Sequence, residues 1–504
     1  MAKKDITSLR GTIEFLKEQN EILVIKGEVD PIYEISGIQR SLENGPALLF
    51  ENIKGYPWAR DVGNLFSRRE RIARMFDIAS VREITLKCRE AIKKPIPPRI
   101  VKEAPCQEVV ITKDIDVMAT LPIIKHTEKD PARILGGGNT FISGEYFGDG
   151  THVSFNRMHF RGKDWGSIAI NPGTHFSGVY IRHRGELLPL TINIGTPPAV
   201  MMVAGTGFLQ SLIPEGSDEL GFAGALQGAP VDIVKAKTVD AYSIANSEWV
   251  IEGFVDRTEE VWESEEAEKL GKGGELPFFP EWTGYVGRTY KTHKFQVTAI
   301  TYRSDKPIFY TPLAYSFELD FLASGFKEAC FYELADRIRP GLVMDVNIVP
   351  GVAGHRGNVI FQVKKTRPSD EGYQRNILAA ALSAAPGIGL VVMVDEDVNI
   401  YSADDMLWAI TTRVSPARSI ITGIGGAMAQ VLMPVERMEA GEQDRYAVGL
   451  GIDATVPFAQ KGYFERGKYP VDKVDLKKWF SAEEIADALA LQSEYAQILA
   501  GRRH

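Results

Sequence analysis

Short β-type segments separated by glycine turns fill the middle of this chain, from residue 107 to residue 303. Segments such as NTFISGEYF, LPLTINIG and KFQVTAITYR carry the alternating or continuous apolar residues of half-buried and fully buried strands. Strands at this density predict a β-barrel or a β-sandwich. Any fold for this chain must therefore place a large β-domain at its centre.

The segments on both sides of this β-region alternate helix and strand, which is typical of an α/β layout. The spacing of Leu9, Ile13 and Leu16 predicts a first helix, and the proline-rich segment KKPIPPRIVKEAPC is the first credible linker. Residues 319–338 predict a long helix that bridges domains, and Ser481 with Glu484 predicts a capping box for the last helix. We therefore predict an α/β (α+β) chain with an N-terminal α/β subdomain over 1–105, a β-domain over 106–315, a linking helix over 316–340 and a C-terminal α/β domain over 341–504.

Length and charge exclude several classes of protein. The 504 residues are too many for a single core, and the net charge of −8 argues against general nucleic-acid binding, which needs a basic face. Cys88, Cys106 and Cys330 form no CxxC pair, so neither a disulfide framework nor a cysteine zinc site is expected. No signal-peptide core or membrane-length apolar run is found. We expect a cytoplasmic protein with no nucleic-acid or membrane partner.

The stretch from Gly148 to Phe176 concentrates candidate site residues. HVSFNRMHF alternates polar and apolar residues and SIAI is a short apolar run, so both are predicted as strands of one antiparallel pair. We predict that His152, Arg157 and His175 lie on two short strand-like runs joined by the polar turn at residues 161–164. His152 and Arg157 point to opposite faces of an ideal strand, so a bulge or bend is needed if both serve one site. A surface hairpin explains the same pattern equally well.

Two groups of residues offer chemistry. His152, His175 and Glu219 provide two imidazoles and a carboxylate, which suit a divalent transition metal, although such trios also arise by chance. Glu275 and Glu281 flank the apolar segment LPFFP, where burial can push the pKa values of two carboxylates apart. A solvated acidic loop is the alternative, and EEVWESEEAEKLGKGGE before them is predicted as a mobile loop. No glycine-rich segment has Rossmann or P-loop spacing.

Sequence motifs in a fixed order along nearly the whole chain resemble those of one known protein family. They are GPALLFENIKGYP, APCQE, FNRMHFRGKD, INPGTH, DELGFAGAL, SEWVIEG, FPEWTGY, RPSDEG, VDEDVNIYSADDMLWAITTR and DATVP. Together they resemble the UbiD family of prenylated-flavin-dependent decarboxylases, in particular its AroY-like branch of arylic acid decarboxylases. The resemblance implies a split β-barrel that binds the cofactor, and assembly through the C-terminal domain as a homodimer or homohexamer. It also implies a flavin prenyltransferase as the source of the cofactor.

The same resemblance implies three cofactors, namely prenylated FMN, a divalent metal, usually Mn²⁺, that bridges its phosphate, and K⁺. The metal ligands carried over by position are His152, His175 and Glu219. His152 departs from the family pattern, because relatives commonly carry Asn or Asp there. The cofactor contacts carried over are those of Ser154, Phe155, Asn156, Arg157, Thr174, His175, Val203, Ala204, Thr206 and Glu219, with K⁺ expected beside the main-chain oxygens of residues 203–206.

Catalysis in the family rests on an arginine and two acids, which the resemblance places at Arg157, Glu275 and Glu281. Glu281 would return the proton after CO₂ leaves an aromatic, heteroaromatic or polycyclic acid, in a reversible reaction. The two acids are six positions apart here, where relatives space them five apart, so Glu275 is the alternative donor. LDFLAS at residues 319–324 replaces the HTTLAG of AroY-like enzymes, which favours a substrate larger or less polar than a dihydroxybenzoate.

Two functions from other classes stay open at this point. A metal-dependent hydrolase would use His152, His175 and Glu219 with an open position for water. Flavin-like absorbance of the purified protein would distinguish a decarboxylase from such a hydrolase. The other function is that of a non-catalytic subunit in an aryl carboxylase complex, and the presence of Arg157, Glu275 and Glu281 together argues against it.

Overall fold

The computed structural model describes most of the chain, and two compact units make it up, Met1–Thr455 and Val456–His504. In the described part, no helix combines the length and the apolar character that crossing a membrane requires. The described residues are 4–143, 150–171, 173–207, 212–274, 276–281, 283–350, 357–384, 388–428, 446–467, 470 and 473–491.

The first hundred residues alternate helix and strand, as predicted. Ser8 caps the first helix, since its hydroxyl accepts a hydrogen bond from the N–H of Gly11. Leu9, Ile13 and Leu16 form the buried face of this helix. The elements of this region are α1 (Leu9–Glu18), β1 (Ile22–Val29), α2 (Glu34–Ser41), β2 (Ala47–Ile53), β3 (Arg60–Gly63), α3 (Arg69–Met75) and α4 (Ile84–Lys93).

The central region is rich in strands, which confirms the prediction of a β-domain. Its strands are β4 (Arg99–Val101), β5 (Val109–Ile111), β6 (Asn139–Ser143), β7 (Thr151–Phe155), β8 (Met158–Phe160), β9 (Trp165–Ile168), β10 (Leu187–Ile194), β11 (Asp232–Lys235), β12 (Tyr242–Ile244), β13 (Trp249–Trp262), β14 (Pro277–Pro280), β15 (Val286–Arg288), β16 (Lys291–Tyr302) and β17 (Ile308–Tyr310). Its helices are α5 (Val117–Thr120), α6 (His175–Arg182), α7 (Pro198–Thr206), α8 (Glu219–Gln227) and α9 (Glu265–Leu270).

An eight-stranded, curled sheet forms the half-barrel. Its order is β7-β6-β10-β13-β16-β9-β8, and β5 pairs with β16 beside this path. The two longest strands of this sheet, β13 and β16, pair antiparallel. Strand β17, which follows this sheet in the chain, belongs to a different sheet, of order β1-β2-β3-β17, where it runs parallel to β3. The N-terminal layer is therefore completed only after the chain has passed through the barrel.

The long helix predicted over residues 319–338 occurs as α10 (Phe317–Ile338). Buried Glu318 at its start accepts hydrogen bonds from the N–H groups of Leu65 and Phe66 and from the hydroxyl of Tyr310. These bonds anchor α10 to the N-terminal layer. The later elements of the first unit are β18 (Val343–Asn347), β19 (Asn358–Val363), α11 (Tyr373–Ala384), β20 (Leu390–Asp395), α12 (Ala403–Arg413), α13 (Pro416–Ser419), β21 (Ile420–Met428) and β22 (Tyr446–Ala454).

The C-terminal region of the first unit is a five-stranded sheet of order β18-β19-β20-β22-β21. Its central strands β19, β20 and β22 run parallel, as an α/β layer requires. In the second unit, α14 (Ala482–Leu491) begins with the predicted capping box. The N–H of Glu484 donates to the Ser481 hydroxyl, and the N–H of Ser481 donates to the Glu484 carboxylate.

The predicted antiparallel pairing of HVSFNRMHF with SIAI is confirmed for Met158–Phe160, which pairs with Trp165–Ile168, but HVSFNRMHF is not one continuous strand. The chain bends at Asn156 and Arg157, so β7 ends at Phe155 and pairs with β6, whereas β8 begins at Met158 and pairs with β9. The polar–apolar alternation changes phase at the two consecutive polar residues Asn156 and Arg157, so the sequence does carry a mark of the bend. His175 is not on a strand either, because it begins α6 after a Thr174 cap.

The prediction of a mobile acidic loop over residues 259–275 is also wrong where the structure describes it. Strand β13 continues to Trp262, and α9 follows with Ser264 as its cap. Three glutamates lie in the first turn of α9, where the positive end of the helix dipole stabilises negative charge. These three acidic residues therefore favour the helix start and do not mark a loop.

Candidate active site

Two histidines and a glutamate from three different elements meet in one buried cluster. His152 lies on β7, His175 begins α6 and Glu219 begins α8. The Nδ1 atom of His175 is 2.8 Å from Glu219 Oε1, and that of His152 is 3.1 Å from Oε2. One ligand atom from each residue lies within 4.8 Å of the others, an arrangement that suits one divalent cation.

The hydrogen bond on the far side of His175 shows why this cluster fits a metal. Nε2 of His175 is 3.0 Å from the main-chain oxygen of Ile213, and a carbonyl only accepts, so Nε2 carries the hydrogen. In the neutral imidazole, Nδ1 then turns its lone pair towards the Glu219 carboxylate. Two acceptors face each other favourably only when a cation or a proton lies between them.

Backbone and hydroxyl contacts orient Glu219. The N–H of Val153 donates to its Oε2 at 2.8 Å. The Thr151 hydroxyl donates to Asp218 at 2.6 Å and accepts from the N–H of Leu220 at 2.8 Å, so it ties β7 to the start of α8. Burial raises the pKa of Glu219, but without a metal the two imidazoles can take up protons, and in that protonated form they lower the pKa more strongly, to about 2.

A second cluster surrounds Arg157 at the bend after β7. Glu263 accepts from both Nε and Nη2 of Arg157, each at 2.8 Å. Nη1 of Arg157 donates to the Glu281 carboxylate, and Nη2 also donates to the main-chain oxygen of Arg288 at 3.2 Å. The ring of Phe278 lies 4.7 Å from the guanidinium carbon, in cation–π contact. These contacts fix the position and the orientation of the Arg157 guanidinium.

The charge balance of this cluster favours a protonated Glu281. Glu281 is 8% exposed, and Glu263 already binds the guanidinium that it faces. Burial raises the pKa of Glu281 most, Arg157 opposes this, and the charge of Glu263 raises the pKa again, to about 7. Because one cation serves two carboxylates, Glu281 holds a proton over part of the neutral pH range.

Glu263 is the residue that sequence reasoning missed. The acidic composition around it predicted a loop, yet its carboxylate is buried and also accepts from the N–H of Tyr290. The end of β13 carried the missing signal, because Val261 is buried and Glu263, just beyond the strand, lies at the two-residue spacing of the same face. Glu275, the predicted second acid, lies outside the described residues.

The other predicted cofactor contacts lie on elements that border the two clusters. Ser154, Phe155 and Asn156 follow His152 along β7 and into the bend, and the ring of Phe155 is 6.4 Å from that of Tyr310. The remaining ones are the cap of α6 and three buried residues of the last turns of α7, namely Thr174, Val203, Ala204 and Thr206.

The domains of one protein family match along the chain. Residues 13–87 match the N-terminal domain of 3-octaprenyl-4-hydroxybenzoate carboxy-lyase, residues 99–315 its Rift-related domain and residues 320–454 its C-terminal domain. The chain belongs to the UbiD family. It is thus an enzyme of the carboxy-lyase class, and the hydrolase alternative loses its support.

Individual members of the UbiD family are similar over most of their length. A gallate decarboxylase from Lactiplantibacillus plantarum is 31% identical over 464 residues, which cover 88% of this chain and 92% of that protein. The apo structure of 3,4-dihydroxybenzoic acid decarboxylase (AroY) from Klebsiella pneumoniae is 30% identical with a TM-score of 0.80, covering 94% of this chain and 100% of that one. An evolved dimeric form of HmfF from Pelotomaculum thermopropionicum, in complex with prFMN, is 28% identical with a TM-score of 0.79 at the same coverage. These similarities confirm the AroY-like branch.

Proposed function

We propose that this chain catalyses the reversible, non-oxidative decarboxylation of an aromatic, heteroaromatic or polycyclic carboxylic acid, with prenylated FMN as its cofactor. The observation that carries the proposal is the contact of Arg157 with a buried Glu281 whose pKa is about 7. A carboxylic acid that holds its proton near neutral pH can protonate a carbon as a general acid. The prFMN bound to the similar HmfF supports the choice of cofactor.

The metal cluster would hold the cofactor phosphate. His152, His175 and Glu219 would bind a divalent cation, Mn²⁺ or another, and this cation would neutralise the phosphate dianion. The last turn of α7 supports a K⁺ site. The final carbonyl groups of a helix have no partner within the helix, and their partial negative charge attracts a cation. Residues 203–206 supply these carbonyl groups.

The chemistry divides between the cofactor and the protein. When bound, prenylated FMN supplies an acceptor for the electron pair that CO₂ leaves on the substrate carbon. Glu281 delivers a proton to that carbon, and in the direction of carboxylation it removes the same proton. Arg157 holds the carboxylate of Glu281 in place and stabilises its charge once the proton has gone. Glu263 in turn fixes Arg157 through two hydrogen bonds.

The start of α10 would contribute to substrate selection. Phe317 and Phe321 stack with ring centroids 5.4 Å apart, and Asp320 between them is buried. Aromatic rings favour stacking with an extended substrate ring over recognition of hydroxyl groups. We therefore keep the expectation of a substrate that is larger or less polar than a dihydroxybenzoate.

Two partners complete the proposal. A flavin prenyltransferase would supply the cofactor, and the chain would form a homodimer or homohexamer. The described part of the second unit supports self-association, since Tyr463 and Trp479 are 90% and 65% exposed. Sedimentation of the purified protein measures the oligomeric state directly.

The proposal is tested by loading the full chain with prenylated FMN and Mn²⁺ and offering it a panel of aryl, heteroaryl and polycyclic acids. We expect CO₂ release from at least one acid, and exchange of solvent deuterium into the corresponding product. The same panel with the Glu281→Gln variant is the control, because this variant keeps the metal cluster.

Two results would contradict the proposal. If the loaded chain shows neither CO₂ release nor deuterium exchange with any acid, the decarboxylase assignment fails. If it acts only after a second, catalytic UbiD chain is added, it is a non-catalytic subunit. Preference for 3,4-dihydroxybenzoate over every bicyclic or heterocyclic acid would overturn only the substrate expectation.

A further inference from the structure

A line of hydrogen bonds runs away from His152 on the side opposite to Glu219. Nε2 of His152 is 3.0 Å from the Ser154 hydroxyl, which is 2.9 Å from Asn156 Oδ1. Nδ2 of Asn156 donates to the main-chain oxygen of Ala169 at 2.8 Å. The three side chains lie at alternate positions, so they share one face of the chain as it leaves β7.

The carbonyl at the end of this line fixes the direction of every hydrogen bond. The Ala169 oxygen only accepts, so Asn156 directs its NH₂ group there and its oxygen towards Ser154. The single hydroxyl hydrogen of Ser154 must then go to Asn156, which leaves the Ser154 oxygen as an acceptor. His152 therefore carries its hydrogen on Nε2.

The consequence lies at the metal cluster. With the hydrogen on Nε2, the neutral imidazole of His152 presents the lone pair of Nδ1, the atom that is 3.2 Å from Glu219 Oε1. His175 is fixed in the same tautomer by the Ile213 carbonyl. Both imidazoles thus turn Nδ1 lone pairs towards one carboxylate, and each is anchored by its outer N–H, as metal-ligating histidines are.

We infer that His152 makes this a site of two imidazoles and one carboxylate that selects a late first-row cation such as Co²⁺, Ni²⁺ or Zn²⁺ over Mn²⁺, and that Ser154 and Asn156 are positioning residues for His152. The inference rests on the proposed metal site and deepens it. Imidazole nitrogen suits the later divalent cations, whereas oxygen ligands suit Mn²⁺ and Mg²⁺. The second imidazole therefore increases the advantage of Co²⁺ over Mn²⁺.

Competition between metals tests this selectivity without any activity measurement. The full chain is stripped of metal with a chelator, saturated with FMN and equilibrated with equal concentrations of Mn²⁺ and Co²⁺, and the bound metals are counted by mass spectrometry after gel filtration. We expect predominantly Co²⁺ on the wild type. His152→Asn, which replaces nitrogen by an amide oxygen, should move the bound ratio towards Mn²⁺ and change the visible absorption of the bound Co²⁺.

Ser154→Ala tests the positioning role separately. Loss of the anchor on Nε2 should weaken Co²⁺ binding about 10–100-fold, the usual effect of removing an outer hydrogen-bond partner of a metal ligand. Ser243→Ala is the matched control, because the Ser243 hydroxyl is buried and has no hydrogen-bond partner among the described residues. His293→Asn is the corresponding control for His152→Asn, since His293 lies on β16 and not in the cluster.

The outcomes separate this inference from the proposed function. A wild-type chain that binds no divalent metal in the presence of FMN overturns the metal site itself, and the inference with it. A wild-type chain whose Co²⁺ to Mn²⁺ ratio equals that of His152→Asn keeps the metal site and overturns the inference. If circular dichroism shows that His152→Asn does not fold, Ser154→Ala takes its place in the test. An unchanged Co²⁺ affinity in Ser154→Ala would then overturn the inference.

Discussion

The two clusters that flank the bend after β7 both bury glutamates beside nitrogen-bearing side chains, but they shift the pKa values of those glutamates in opposite directions. At the metal cluster, two imidazoles lie beside one carboxylate, and the pKa of Glu219 is lowered to about 2 despite burial. At the Arg157 cluster, two carboxylates share one guanidinium, and the pKa of Glu281 is raised to about 7. Both glutamates are buried, so burial alone does not decide the outcome.

The difference shows that the ratio of cationic to anionic groups sets the role of each buried glutamate. A carboxylate beside two imidazoles that can carry positive charge stays ionised and can bind a cation. A carboxylate that competes for a single guanidinium keeps its proton to higher pH and can act as an acid. The cluster that would hold the cofactor and the cluster that would move a proton therefore differ in the number of cationic groups beside each carboxylate.

Removing each carboxylate in turn gives the largest expected effects, and Glu281→Gln comes first. This variant should keep its metal and flavin, because neither depends on the proton of Glu281. Turnover should fall about 10²–10⁴-fold, the usual contribution of general acid–base catalysis. Steady-state CO₂ release and deuterium exchange are measured together and should fall together. A near wild-type rate, or the same loss on Glu275→Gln instead, would move the proton donor away from Glu281.

Glu219→Gln should behave in the opposite way. The amide lacks the negative charge that a divalent cation needs, so metal and flavin should be lost together while the fold is retained. Metal analysis and flavin absorbance of the purified variant measure this loss. Full retention of both would mean that the cluster does not hold the cofactor phosphate, and the contrast with Glu281→Gln would disappear.

Thr151→Val tests how Glu219 is held in position within the metal cluster. Its hydroxyl joins Asp218 and Leu220, so its loss should loosen Glu219 and weaken divalent metal binding about 10–100-fold, while Thr151→Ser should restore it. Titration calorimetry with the metal gives the affinity. Thr301→Val is the matched control, since the Thr301 hydroxyl is buried and bonds to none of the described residues. Equal losses in both variants would indicate general destabilisation.

The pH dependence of the decarboxylation rate gives the smallest expected effect. It tests directly whether neighbouring charges set the pKa of Glu281. Glu281 must be protonated to donate, so the rate of decarboxylation should fall as pH rises through about 7, by about tenfold per pH unit beyond it. Glu263→Gln removes a negative charge that raises the pKa of Glu281, so this fall should begin at lower pH. An unmoved profile in Glu263→Gln would show that Glu263 does not act on Glu281.

Much of the fold was predictable because it follows local periodicity. The helical spacing of Leu9, Ile13 and Leu16 and the strand density of the centre were both confirmed. The predicted domain boundaries stay predictions. The bend at Asn156 and Arg157 was expected only as a condition for His152 and Arg157 to share one site, although the alternation changes phase at these two residues. Strand β17 completes the N-terminal sheet from beyond the barrel, and no local pattern encodes such a pairing.

The sequence alone determined the family, because its ordered motifs extend along nearly the whole chain, and from them it predicted the metal trio and the roles of Arg157 and Glu281. Only the tertiary structure decided that Glu263 binds Arg157, that Ser154 and Asn156 fix the tautomer of His152, and that the trio converges. The physical reason is that a pKa or a tautomer depends on which charges and hydrogen-bond partners lie within a few ångströms. In this chain, those partners come from strands and helices that are far apart in sequence.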